Sequence, residues 1–258
     1  MFWKNDLISI AVNAEIVEYD IKHGNTSIME AFQMVDQELI DHLNSLTKKK
    51  RVEAVGVMQG KDPDFAKALE DNFDIAVNEF LEANGLDRET DVVEIARDAV
   101  FVLNKPVKQT VFRSSIHFVK KNVYHAMLRL DTGLLFYFDR EKGIRVLNFM
   151  KDSPKKDETI RKLTPGMLSF LNELIEVCEA SNMGRVKIYQ YLKNFIKLYR
   201  GKELDMEYYR EFKPDPKFKV IFGDSPMVID GADEYYYDDL DISYNYLNII
   251  IPVLKVVI

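Results

Sequence analysis

Asn84-Gly85 separates two different spacings of apolar residues, and that separation limits the folds open to the chain. Before it, Asp62-Pro63 forms a good helix start, and Phe65, Leu69, Phe73, Val77, Phe80 and Leu81 recur at three- and four-residue intervals. After it the runs shorten and fill with β-branched and aromatic residues: "VKQTVFRSSIHFV", "NVYHAMLRLD", "LLFYFDR" and "IRVLNFM". Turn signals such as Asp131-Thr132-Gly133 and Lys142-Gly143 separate them, which reads as an antiparallel meander. "DVVEIARDAVFVLNK", just ahead, reads as two short strands broken at Arg97-Asp98. Near the start, residues 7–20 read as a strand ending at Asp20. Ser27 with Glu30 has the spacing of a capping box. Ile28, Phe32, Val35, Leu39, Leu43 and Leu46 then predict a helix to about Leu46, and Arg51 to Gln59 is an apolar segment of either type. Helices segregated from a mostly antiparallel sheet indicate the α+β class.

The polar stretch "DSPKKDET" at 152–159 reads as a linker and divides the chain into residues 1–151 and 152–258. Beyond it, spacing predicts helices over about 164–181 and 184–200, hinged at Asn182-Met183-Gly184. Asp205 is placed to cap a short helix through Phe212. "KFKVIF" and "LNIIIPVLKVVI" read as strands.

With 258 residues, 47% hydrophobic and 30% charged, the chain has the composition of a soluble globular protein. Cys178 is the single cysteine, which excludes an internal disulfide and a cysteine-built zinc site and favours a reducing, cytoplasmic setting. No apolar stretch is long enough to span a bilayer, so no membrane partner is expected. The net charge of −7 argues against coating nucleic acid by bulk charge. The charges are uneven, however: "TKKKR" at 47–51 and "FVKKN" at 118–122 are basic, and "DGADEYYYDDLD" at 230–241 is acidic. Each cluster taken alone reads as a solvated surface. His42, His117 and His125 show no metal-ligand spacing.

Asp20 and Asp98 stand out because each sits in or beside an apolar strand-like run. A carboxylate there is costly unless paired, hydrogen-bonded or bound to a metal. Either both are ordinary strand-end acids, or adjacent strands bring them together and they attract a hard cation.

The residues around them resemble a known family. "YDIKHGNTSIM" at 19–29 is similar, without a gap, to the first palm motif of family B DNA polymerases, Y-D-x-x-S-x-Y-P-S-I-M, through Tyr19, Asp20, Ser27, Ile28 and Met29. "ARDAVFV" at 96–102 resembles the third motif, D-T-D-S-V-F-V, with Asp98 on its second aspartate. "KNVY" resembles the K-K-x-Y element through Lys121 and Tyr124. The resemblance covers roughly residues 7 to 200. It implies a palm-like domain over 1–151 with reduced fingers at about 27–85, and a thumb-like helical region with a C-terminal extension over 152–258. No exonuclease domain is expected ahead of the first motif, and a phage origin is expected. The implied activity is two-metal nucleotidyl transfer, with Asp20 and Asp98 holding Mg²⁺ or Mn²⁺ and Lys121 and Tyr124 contacting the primer strand. Implied partners are a nucleic acid primer–template and a nucleoside triphosphate. His23, Gly24, Asn25, Lys50 and Arg51 are the remaining candidate substrate contacts, with Lys50 or Arg51 meeting the triphosphate.

The chain departs from the family pattern in several places. Ala96 stands where the third motif has its first aspartate, and Asn25 and Thr26 replace the tyrosine and proline of the first. The second motif, K-x-x-x-N-S-x-Y-G, has no counterpart, and Leu147-Asn148 replaces the lysine-glycine pair expected after the meander. These departures suit an alternative, a non-catalytic polymerase-derived subunit or interaction protein that binds another polypeptide or nucleic acid. They also suit a polymerase whose fingers come from a partner protein. A third reading is an unrelated α+β protein in which the motifs coincide by chance.

Overall fold

The computed structural model describes residues 2–129, 134–148, 165–211, 235–236 and 244–257. They form an α+β protein with antiparallel sheets and two compact units, residues 1–8 with 14–124, and residues 9–13 with 125–258. The chain changes unit at Tyr124–His125. The linker at 152–159, and with it the expected boundary, lies outside the described residues, as do "KFKVIF" and the acidic segment apart from residues 235–236.

The first unit holds a six-stranded sheet made of β1 (Phe2–Lys4), β3 (Ile16–Ile21), β4 (Val92–Ala96), β5 (Ala99–Leu103), β6 (Val111–Phe112) and β7 (Ile116–Tyr124). Their order across the sheet is β1-β4-β5-β3-β7-β6, and every neighbouring pair is antiparallel. Alternation along β3 sends Val17, Tyr19 and Ile21 into one core, where they join Val100, Val102 and Phe118. Helices α1 (Gly24–Ala31), α2 (Gln37–Ser45), α3 (Lys48–Lys61), α4 (Pro63–Ala83) and the short α5 (Arg88–Asp91) belong to this unit. Ile28, Met29, Leu69, Phe73 and Phe80 complete the core from α1 and α4. Phe80 stacks on Phe118 with centroids 4.2 Å apart, so α4 is pinned over β7.

The helix start at Asp62-Pro63 forms as expected, with Asp62 Oδ1 accepting from the Phe65 N–H at 3.0 Å. Gly85, at φ 60°, ends α4. The predicted helix from Ser27 to Leu46 is instead two helices. His23, not Ser27, precedes α1, and Ser27 is buried inside it with its hydroxyl donating to the Lys22 carbonyl at 2.7 Å. Gln33, at φ 51°, breaks the run, and Asp36 caps α2 through the Leu39 N–H at 2.8 Å. The predicted strand over 7–20 is likewise divided. Asn13, at φ 50°, separates β3 from β2 (Ile10–Ala11), which joins the other sheet. The segment from Arg51 to Gln59 is helical, inside α3.

The second unit holds β8 (Ala126–Arg129), β9 (Leu134–Asp139) and β10 (Gly143–Asn148), which with β2 form a sheet of order β10-β9-β8-β2. Helices α6 (Pro165–Ala180) and α7 (Arg185–Arg200) form as expected, with Asn182 and Met183 both at positive φ in the hinge. Asp205 precedes a single 3₁₀ turn, Met206–Tyr208, followed by β11 (Arg210–Glu211), which pairs with β12 (Tyr235–Tyr236). "LNIIIPVLKVVI", read as a strand, lies instead in helix α8 (Tyr244–Val257). Its buried residues Tyr246, Ile249, Ile250 and Val253 follow helical spacing, but a continuous apolar run masks that spacing in the sequence. No described helix is long and apolar enough to cross a membrane.

Candidate functional site

Asp20 is the fifth residue of the six in β3, a central strand, opposite Ala99 on β5 and Val119 on β7. The chain joins β4 to β5 through Arg97-Asp98, and Arg97 takes φ 58° to close that two-residue turn. The turn lies beside the end of β3. Ile21 N–H donates to the Asp98 carbonyl at 2.9 Å, extending the ladder by one bond past the Asp20–Ala99 pair. The Asp98 turn thus lies beside the strand end that carries Asp20. Burial raises the proton affinity of the Asp98 carboxyl, and the Asp20 carboxylate raises it further.

Both line one cavity of about 450 Å³. The same cavity is lined by Lys22 just after β3, by Lys48 and Arg51 one turn apart on α3, and by Arg97 from the turn. The cations outnumber the two carboxylates, so this cavity is locally positive in a chain of net charge −7. The Arg97 guanidinium lies 4.7 Å over the Phe73 ring, and its Nε and Nη2 are buried without a hydrogen-bond acceptor. His23 also lines the cavity, at φ 56°, and its imidazole pKa is lowered by burial and by the charges of Arg51 and Lys22. It therefore favours the neutral form.

Helix α1 begins on the cavity wall with Gly24 and Asn25, and no side chain caps it. Gly24 is there for space as much as for helix entry, because a Cβ at this position would stand 3.2 Å from Asp98 Oδ2. Uncapped first-turn N–H groups and the positive end of the helix dipole thus face the same space as the cationic side chains.

Lys121 is not among the cavity-lining residues but pairs with Asp20. In the β3–β7 ladder Glu18 pairs with Asn122 and Tyr19 with Lys120, so Lys121 is the extra residue of a β-bulge. The bulge turns its ammonium toward β3, where it pairs with Asp20 Oδ2 and lies 3.6 Å from Glu18 Oε1. Glu18 is 1% exposed, and its Oε2 accepts from Asn122 Nδ2 at 2.7 Å and from the Tyr124 hydroxyl at 2.9 Å.

The expected site residues separate into two groups. Asp20, Asp98, His23, Gly24, Asn25 and Arg51 share the cavity wall. Lys50 is exposed and is not among the cavity-lining residues, whereas Lys48 is. Tyr124 is 2% exposed, bonded to Glu18, and away from the cavity. Lys22, Lys48 and Arg97 join Asp20 and Asp98 on the cavity wall, and Glu18 lies beside Lys121, without any motif to mark them. Lys48 carried a signal, since it stands three residues before Arg51 and so on the same helix face.

Two aspartates on one cavity wall, with the charge of Asp20 raising the proton affinity of the buried Asp98, suit a hard divalent cation. Among the described residues no cluster of three His, Cys, Asp or Glu side chains could hold a metal. A cation at Asp20 and Asp98 would take its other ligands from water and from substrate oxygens, as Mg²⁺ does in phosphoryl-transfer sites.

The chain belongs to the bacteriophage PBS1 gene 130 protein family, whose model it matches over residues 1–258, in keeping with a phage origin. No curated protein matches it.

Proposed function

We propose that this chain is a divergent nucleotidyltransferase, a reduced palm-like core of the kind found in family B DNA polymerases, acting on a nucleoside triphosphate and a nucleic acid primer end. The observation that supports this reading is that Asp20 and Asp98 line one cavity together with the cations Lys22, Lys48, Arg51 and Arg97. Paired acids beside a cluster of cations suit a metal-bound polyphosphate, because one part binds the metal and the other the phosphate charge. Mg²⁺ or Mn²⁺ held at this pair would supply Lewis-acid stabilisation of the charge that develops during phosphoryl transfer.

The protein's own residues account for the rest. Lys48 and Arg51 present adjacent cations to the phosphates from α3, and the first-turn N–H groups of α1 add donors aimed at the same charge. Gly24 lets α1 approach Asp98 closely enough to close that side of the cavity. Arg97 holds the turn that carries Asp98 by packing on Phe73. Tyr124 has a positioning role: it bonds the buried Glu18 rather than reaching a strand.

Primer extension with Mg²⁺ or Mn²⁺ tests the proposal. Wild-type protein should extend a primed template and Asp98→Asn should not, while retaining its fold by circular dichroism. Equal extension by that variant refutes the assigned role.

One observation favours the second reading, a non-catalytic descendant that binds nucleic acid or a partner protein. Lys121 already places an ammonium on Asp20. A permanent internal ion pair there would leave the palm-like scaffold intact with no chemistry, and the wild-type protein would then bind primer–template without extending it.

A further inference from the structure

We propose that Lys121 is a tethered cation that competes with a divalent metal for Asp20, and that Glu18 is the alternative carboxylate that receives it when the metal enters. This rests on the reading of Asp20 and Asp98 as a metal pair. It assigns functions to two residues and a backbone irregularity which that reading leaves unused.

Three independent features carry it. The first is the bulge. A regular β7 would pair Lys121 with β3 and alternate its side chain with those of its neighbours, whereas the extra residue frees it from the ladder and aims it across the strand. The second is position. One ammonium lies in contact with Asp20 Oδ2 and 3.6 Å from Glu18 Oε1, so a change of χ angles suffices to pass it from one acid to the other. The third is the asymmetry of the two acids. Asp20 is partly exposed and lines the cavity, whereas Glu18 is sealed at 1% exposure. A hydrated divalent ion can reach Asp20. Glu18 can be reached by a side chain already inside the sheet, and Asn122 and Tyr124 hold it oriented through its other oxygen.

The consequence is thermodynamic. Asp20 cannot give the same oxygen fully to an ammonium and to a divalent ion, so the ion pair subtracts from metal affinity. Glu18 offsets part of that loss by keeping Lys121 paired after displacement. Without Glu18, the displaced ammonium would lose a carboxylate that it already approaches to 3.6 Å.

The test is titration of the full chain with Mn²⁺ alone, followed by calorimetry and by electron paramagnetic resonance of free Mn²⁺, for wild type, Lys121→Met, Glu18→Gln and the double variant. Lys121→Met should bind Mn²⁺ about fivefold more tightly, the size expected for loss of one competing, partly exposed ion pair. Glu18→Gln should bind it more weakly than wild type. In the Lys121→Met background Glu18→Gln should have no further effect, since Glu18 acts only through the lysine. Lys121 is 44% exposed, so its variant should fold even if the Glu18 variant does not. Mn²⁺ binding that is equal in wild type and Lys121→Met, and abolished in Asp20→Asn, overturns this inference while leaving the metal pair standing. Absence of Mn²⁺ binding in every variant overturns the metal pair, and this inference with it.

Discussion

Gly24 and Asp98 are separated by less than a methyl group's comfortable contact: a Cβ on Gly24 would stand 3.2 Å from Asp98 Oδ2 and 3.4 Å from Phe73 Cε1. The first turn of α1 is thereby fitted against the turn that carries the second acid of the pair. Gly24→Ala should push the Asp98 carboxylate aside by a few tenths of an ångström. Its effect on stability should be small, because Ala is a better helix former than Gly and this offsets part of the crowding. The effect on cation binding should be larger, since both acids must reach one ion. Calorimetric titration with Mn²⁺ beside a urea melt separates the two, and a variant with wild-type Mn²⁺ affinity would show that the close approach has no bearing on the site.

Asp98 provides a pH-dependent prediction. Burial first and Asp20 second raise its carboxyl pKa in the folded chain above the unfolded value. The folded state therefore holds this proton more tightly than the unfolded state. Stability contributed by the protonated form is present below the unfolded carboxylate pKa and is lost as pH rises through the folded one. At pH 7 the charged Asp98 should be a net cost. Asp98→Asn should melt higher than wild type at pH 7, by roughly 2–4 °C for each kcal/mol of repulsion and desolvation removed in a chain of this size. The difference should shrink toward pH 3. A lower melting temperature at pH 7 would contradict the electrostatic account. The same substitution is expected to abolish extension, so it would gain stability while losing function, as expected of a residue kept for chemistry.

The cationic wall can be dissected by position along α3. Lys48 and Arg51 line the cavity and Lys50 does not. Lys48→Ala and Arg51→Ala should each weaken binding of a fluorescent nucleoside triphosphate by about tenfold, the scale of one charge-assisted hydrogen bond. Lys50→Ala should leave it unchanged at fixed salt. A Lys50 effect as large as that of Arg51 would mean that bulk charge, rather than this cavity, governs binding.

How much of the site could be read from sequence follows from which interactions are local. Asp20 and Asp98 were legible because a carboxylate inside an apolar run is expensive and has to be explained, and Arg97-Asp98 also broke two strand-like runs in a way that suggested a turn. The α4 boundaries were legible because Asp62-Pro63 and Asn84-Gly85 are local signals. The α1–α2 break was not, because Gln33 at positive φ has no sequence signature, and the apolar spacing runs on through it. Lys121 appeared as a motif lysine, yet its contact with Asp20 depends on a register shift between strands about a hundred residues apart, which no local pattern encodes. Glu18 is not legible for a related reason, because its partners Asn122 and Tyr124 lie on another strand.

Tyr124 distinguishes a structural role from a substrate role. Its hydroxyl donates to Glu18 Oε2 at 2.9 Å, its ring stacks near Phe101 with centroids 6.4 Å apart, and it is 2% exposed. Tyr124→Phe keeps the ring and removes one donor to a buried carboxylate. The expected cost is about 1–3 kcal/mol of unfolding free energy, because a buried acceptor loses a bond that water cannot replace. A direct primer contact would predict the reverse pattern, with unchanged stability and weakened affinity. Urea denaturation read beside primer–template binding therefore separates the roles. The arrangement around Glu18 requires a lower denaturation midpoint with unaltered nucleic acid affinity, and a normal midpoint with lost affinity would return Tyr124 to the substrate surface.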